Sequence, residues 1–173
     1  MPIAKRHFPL VRRASLLLVA AICLSLLFAA AAKAVIVPQR GISAIALNMT
    51  REQVIFVKGG KPDAEKLVPN EIIGQVRTMR YGATRVTFGG TRPGARVIGV
   101  ETKDRNQRTG SGVGVGSTAA EVRAGVAGVQ CRTEYGFSHC WKGSFLPGQR
   151  VTDFRLDEPG GRVVSVNIGF VID

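Results

Sequence analysis

The sequence predicts an α+β fold of two tandem units, each a helix followed by antiparallel strands, with the helices packed on one face of the sheet. Three observations carry this. The stretch Leu47–Val54, L-N-M-T-R-E-Q-V, recurs as Val115–Val122, V-G-S-T-A-A-E-V, with Thr118 lying 68 positions after Thr50. Pro159-Gly160-Gly161-Arg162-Val163 matches Pro93-Gly94-Ala95-Arg96-Val97 at an offset of 66, and Phe154 matches Phe88 at the same offset. In the final stretch Val164, Val166, Ile168, Phe170 and Ile172 alternate with Ser165, Asn167 and Gly169, the period of a strand with one apolar face.

Residues 1–34 read as an address. Lys5, Arg6, Arg12 and Arg13 precede an uncharged Leu/Ala-rich run from Ala14 to Ala32, and Ala32-Lys33-Ala34 offers a small-x-small cleavage site. The run is also about as long as the roughly 18–20 residues of a membrane span. A cleaved secretory signal and an uncleaved N-terminal anchor both fit. Cys23 lies inside the run behind Ile22, where a lipoprotein signal has a small residue. Beyond residue 34 the chain carries 19 Lys and Arg against 12 Asp and Glu, a net +7 compared with +12 for the whole sequence. An exported basic protein is drawn to acidic proteins or anionic envelope components. Nucleic acid is not expected as a partner, because no block of consecutive basic residues is present. Contact with a membrane is expected only through an uncleaved N-terminal segment.

The first unit spans residues 35–109. Val35 to Arg40 is an extended lead-in, and Ile42, Ile45 and Leu47 are apolar. The helix runs from about Arg51 to Lys58, with Thr50 as N-cap, Gln53 closing a capping box and Gly59-Gly60 as the stop. Pro62 and Pro69 mark residues 61–70 as loop. Strands follow at Gln75–Tyr81, Arg85–Phe88 and Arg96–Thr102. Residues 104–112 are a polar, glycine-rich linker. The run Gly110-Ser-Gly-Val-Gly-Val-Gly lacks the βαβ setting of a dinucleotide fingerprint, so no nucleotide or other cofactor is expected.

The second unit spans residues 110–173. Thr118 and Glu121 form its capping box, and the helix runs from about Ala119 to Ala127 with Val122 and Val126 on one face. Strands are expected at Phe137–Trp141, Val151–Leu156 and Arg162–Ile172. Cys131 and Cys140 are the cysteines beyond the export segment, and an oxidising compartment favours pairing them. Closing a loop of about ten residues contributes roughly 2.5–3 kcal/mol in the chain-entropy model.

These residues carry a resemblance. Asn48-Met49-Thr50-Arg51-Glu52-Gln53-Val54 and Gly116-Ser117-Thr118-Ala119-Ala120-Glu121-Val122 resemble the repeat motif of the BamE/SmpA family of envelope proteins and of the beta-lactamase-inhibitor protein. Asn48 stands where glycine is usual, and Ser117 replaces Met. The tandem arrangement is closer to the inhibitor family. That resemblance implies two units forming one continuous sheet with helices behind it, and Cys131–Cys140 in the place of an intra-repeat disulfide. It covers roughly residues 41–173. The first unit has no cysteine pair, and the chain is poor in aromatic anchors.

Nothing in the pattern points to an enzyme. As a zinc site, His139 with Cys131 and Cys140 supplies at most three ligands, at a spacing that matches no standard finger or ribbon. As a Cys–His nucleophile, His139 and Cys140 fail because adjacent strand residues face opposite ways. No metal is expected, and His139 reads as a surface or turn residue. An enzyme using this cluster is the third rival to the function below. The function expected is that of an exported, non-enzymatic protein-binding or envelope-associated module. The rivals are a secreted inhibitor of an extracellular enzyme, such as a beta-lactamase or protease, and a basic structural protein on cell wall or anionic lipid. Candidate partner-binding residues are Arg92, Tyr135, Phe137, Trp141, Arg155, Glu158 and Arg162.

Overall fold

Both helices begin where the sequence places them, because the N-cap chemistry is local. In the computed structural model, which describes residues 35–134 and 136–172, α1 is Arg51–Lys58 and α2 is Ala119–Gly125. The Thr50 hydroxyl accepts from the Gln53 N–H at 3.3 Å while the Gln53 side chain accepts from the Thr50 N–H at 2.8 Å. Thr118 and Glu121 repeat this at 3.2 and 2.7 Å. Gly59, at φ +72°, ends α1. Helix α2 stops at Gly125, short of the expected Ala127, because Val126 is already extended. The export segment expected at residues 1–34 lies outside the described residues, as does Tyr135.

Eleven strands are described. Three short ones, β1 (Ile36–Val37), β2 (Gly41–Ile42) and β3 (Ile45–Ala46), form a small sheet. The others are β4 (Ala64–Asn70), β5 (Gly74–Tyr81), β6 (Thr84–Phe88), β7 (Val97–Thr102), β8 (Gln130–Glu134), β9 (Phe137–Gly143), β10 (Arg150–Leu156) and β11 (Val163–Phe170). They make one antiparallel sheet in the order β4-β5-β6-β7-β11-β10-β9-β8. The fold is thus mixed α+β and mostly strand. It is not a pair of separate helix-plus-sheet units: β7 and β11 join the halves, and residues 34–173 form one compact unit.

The junction has a regular register. Val100 pairs with Ile168, Thr102 with Val166, and Glu101 with Asn167 between them. Further local contacts recur in each half. Asn48 and Gly116 donate their N–H to the carbonyls of Val97 and Val163, at 2.9 and 2.7 Å. Arg96 and Arg162 donate back to the carbonyls of Asn48 and Gly116, both at 2.9 Å. Asn48 (φ +70°) and Gly116 (φ +93°) are both left-handed, a conformation asparagine tolerates better than most non-glycine residues.

Three expectations are corrected and one strand is added. Residues 64–70 are strand β4, not loop; β4 is an edge strand, where the N–H that Pro69 lacks needs no partner. Residues 130–134 are strand β8, placed by pairing with β9. Val164 does not share the inner face of Val166 and Ile168, because the register shifts between Arg155 and Leu156 leave it as the extra residue of a β-bulge, exposed. The same bulge lies between Thr87 and Phe88, with Ile98 as the extra residue. Phe88 and Leu156 occupy the bulge in each half, so Phe154 corresponds to Val86, and the match of Phe154 to Phe88 at an offset of 66 is wrong by two residues.

The core lies between the large sheet and the helices. Val54 and Val122 from the helices, and Ile36, Ile42 and Ile45 from the small sheet, bury against Met79, Val86, Phe88, Val100, Phe154, Val166 and Ile168. Each such side chain contributes about 1.5–3 kcal/mol on burial. Both helices and the small sheet cover the same face.

Candidate functional site: the open face of the sheet

Side chains alternate across a strand, so the residues between the core positions project from the opposite face. The register aligns them in a row across all eight strands: Ala64, Arg80, Arg85, Glu101, Asn167, Asp153, Trp141 and Gln130. The chemistry changes along it, from basic on β5 and β6 to acidic and aromatic on β10 and β9.

At the aromatic end β9 places Phe137, His139 and Trp141 on this face, while Cys140 between them points into the core. The His139 ring lies 5.1 Å from Phe137 and 4.8 Å from Trp141, centre to centre. Phe145, from the loop between β9 and β10, folds over them at 5.9 Å from His139 and 5.7 Å from Trp141. Arg132 stacks on Trp141 at 4.9 Å and Arg155 on Phe137 at 5.3 Å. Such contacts contribute about 0.5–1 kcal/mol each where exposed. The stack ends outward in Phe145, 44 % exposed, and the next residue of the loop, Leu146, is 66 % exposed.

His139 is therefore not a surface or turn residue. It is mid-strand and its side chain is 3 % exposed. Its Nδ1 lies 2.9 Å from Asp153 Oδ1 and its Nε2 3.2 Å from Glu134 Oε1. An imidazolium donates to both carboxylates, a neutral ring to one. Burial raises the Asp153 pKa above its ordinary value, with His139 and Arg155 opposing. Glu134 is also bonded by Arg132 at 2.8 Å. With both ring nitrogens engaged, His139 fixes the neighbouring rings in place.

The basic end is built differently. Arg80 on β5 and Arg85 on β6 are directly opposite each other and exposed. Together with Ala64, Lys66, Val68 and Thr78 they line a shallow cleft of about 470 Å³. Arg85 lies 3.4 Å from Glu101. Beneath the face, on the helix side, Glu65 takes two bonds from Arg51, at 2.9 and 2.8 Å, and is paired with Arg77 as well. These bonds, those of Arg51 foremost, hold its pKa down to about 2.

Of the partner-binding residues read from the sequence, Phe137, Trp141 and Arg155 come together at the aromatic end. Arg92, Glu158 and Arg162 do not join them. Arg92 lines a cleft on the helix side with Arg51, Glu52 and Phe88. Glu158 sits in the β10–β11 turn, where its carbonyl accepts from the Gly161 N–H. Arg162 is held by the Gly116 carbonyl and borders a helix-side cleft with Arg108 and Glu121. Sequence reasoning missed Glu134, His139, Phe145 and Asp153. The alternation in F-S-H-C-W already placed three rings on one face; the fold of the Phe145 loop had no such signal.

The Cys131–Cys140 disulfide is formed between residues directly opposite on β8 and β9. Such a bond fits an oxidising compartment. Among the described residues no group of three or more His, Cys, Asp and Glu is placed to hold a metal ion. No helix among them is long and apolar enough to cross a membrane. Compared with known proteins, the chain matches no family model, no curated protein and no solved structure.

Proposed function

We propose that this protein is an exported, non-enzymatic protein-binding or envelope-associated module that takes its partner on the open face of the large sheet. The observation that carries this reading is the row across that face, basic on one side and aromatic on the other, while both helices and the small sheet pack on the opposite side. Phe145 supplies exposed apolar contact on a base of stacked rings, with the exposed Leu146 next to it in the loop, the pattern of an interface anchor. The disulfide supports an exported setting. Recurrence of the capping boxes, the Arg96 and Arg162 bonds and the two bulges supports descent by duplication, in the manner of the BamE/SmpA and beta-lactamase-inhibitor repeats. The test is binding of the protein to an exported-fraction extract of its host, compared with the Phe145→Ser/Leu146→Ser double variant. A saturable partner lost in the double variant is the expected result. No saturable partner, or one retained undiminished, contradicts the reading.

A further inference from the structure

Opposing strands place Arg80 and Arg85 side by side in register on an exposed face. Like charges directly opposite on a sheet oppose folding, so the juxtaposition of the two arginines does not itself stabilise the fold. Of the nearby carboxylates, Glu101 engages Arg85, and none is paired with Arg80 among the described residues. Glu101 stands on the far side of Arg85, at 3.4 Å, and Asp63 accepts from the Gly82 N–H at 2.6 Å. Lys66 lines the same cleft as the two arginines, and Lys103 borders a second, smaller one that also contains both. Two guanidinium groups side by side, open to solvent, match the geometry of carboxylates, which they bind by paired hydrogen bonds.

We propose that the Arg80–Arg85 pair, flanked by Lys66 and Lys103, is a clamp for an acidic segment of a protein partner. This rests on the reading of the open face as the recognition surface and specifies the partner's chemistry. A protein segment is favoured over an anionic polymer because the row continues to the apolar side chains at the β9 end. Four strand steps separate β6 from β9, about 19 Å at the usual strand spacing, which about six extended residues span. The partner segment therefore carries acidic residues at one end and an apolar residue about six positions away.

The experiment is a fluorescence-anisotropy titration of the full protein with a labelled hexaglutamate peptide at low and at physiological salt. The expected result is saturable one-to-one binding that weakens with salt. It falls at least tenfold in Arg80→Gln/Arg85→Gln and stays within twofold in Lys61→Gln/Arg123→Gln, which removes the same net charge elsewhere. The unliganded Arg80→Gln/Arg85→Gln protein stays folded and melts close to the parent, since the repulsion it loses offsets the loss of the exposed Arg85–Glu101 pair. Equal weakening in both charge variants overturns the proposal, as does equal binding of hexaglutamine. So does displacement by polyphosphate at a tenfold lower charge concentration than by unlabelled hexaglutamate. The peptide is also titrated against Phe145→Ser/Leu146→Ser, where undiminished binding is expected. A protein that binds host partner through Phe145 and Leu146 but ignores hexaglutamate refutes the clamp alone. One that binds neither refutes the open-face reading too.

Discussion

The two halves of the large sheet put different residues at corresponding places. On the open face Arg85 corresponds to Asp153 and Arg80 to Trp141, as the pairings around Glu101 and Asn167 require. On the helix side Glu65 and Met79 correspond to Cys131 and Cys140, and Val86 to Phe154. The β5–β6 connection is the two residues Gly82 and Ala83, whereas the β9–β10 connection is a longer loop that delivers Phe145. Against this divergence, the capping boxes, the bulges and the arginine-to-carbonyl bonds are the same in both. Positions that shape the backbone agree; positions that present side chains do not. The first half ties its edge hairpin to a helix with charge, the second locks its own edge hairpin with a covalent bond.

The largest expected effect that separates the halves is in the core. Phe154→Ala should cost about 3–5 kcal/mol, more than Val86→Ala at the corresponding place, because the larger side chain leaves the larger cavity. Urea unfolding of the two variants measures this, and equal losses would break the correspondence. Next comes the edge. Replacing both cysteines, Cys131→Ala with Cys140→Ala, should cost about 2.5–3 kcal/mol, read as a lower midpoint that reductant no longer changes.

The two halves should also answer acid with opposite sign. The folded-state pKa of Glu65 is depressed to about 2, so its contribution is present above the unfolded carboxylate range and lost as pH falls toward 2. The pKa of Asp153 is raised by burial. Its ionised form opposes folding, so its contribution improves as pH falls through that raised value. Stability measured from pH 6 to pH 2 should therefore lose acid sensitivity in Glu65→Gln and gain it in Asp153→Asn. Slopes that change in the same direction would contradict the assigned partners. The smallest difference is expected at the caps. Thr50→Ala and Thr118→Ala should each cost about 1 kcal/mol, alike in both halves, with binding per folded molecule unchanged.

Much of the scaffold was legible because it rests on local chemistry. Thr50, Gln53, Thr118 and Glu121 announce two helix starts within four residues each, and Gly59 announces one stop. The strands at β5, β6, β7, β9, β10 and β11 show in alternation and in the turns between them. Strand β4 was hidden by Pro62 and Pro69, whose effect on a strand depends on whether it lies at an edge. The joining of the halves through β7 and β11 rests on contacts more than sixty residues apart, and no local pattern encodes it. The site was half legible. Phe137, Trp141 and Arg155 were singled out, yet His139 was misplaced because its two carboxylates come from β8 and β10. Arg80 and Arg85 carry no signal as a pair until β5 and β6 are in register.

The central claim is that recognition belongs to the open face rather than to the helix side, where Phe56 on α1 is 85 % exposed and offers the obvious competing contact. A photo-crosslinking side chain placed in turn at Thr87, Asn167 and Phe145 on the open face, and at Glu52 and Phe56 on α1, tests it in the host's exported fraction. A discrete adduct from the open-face positions, absent from both α1 positions, is the expected result. An adduct from Glu52 or Phe56 with none from Thr87, Asn167 or Phe145 would contradict it.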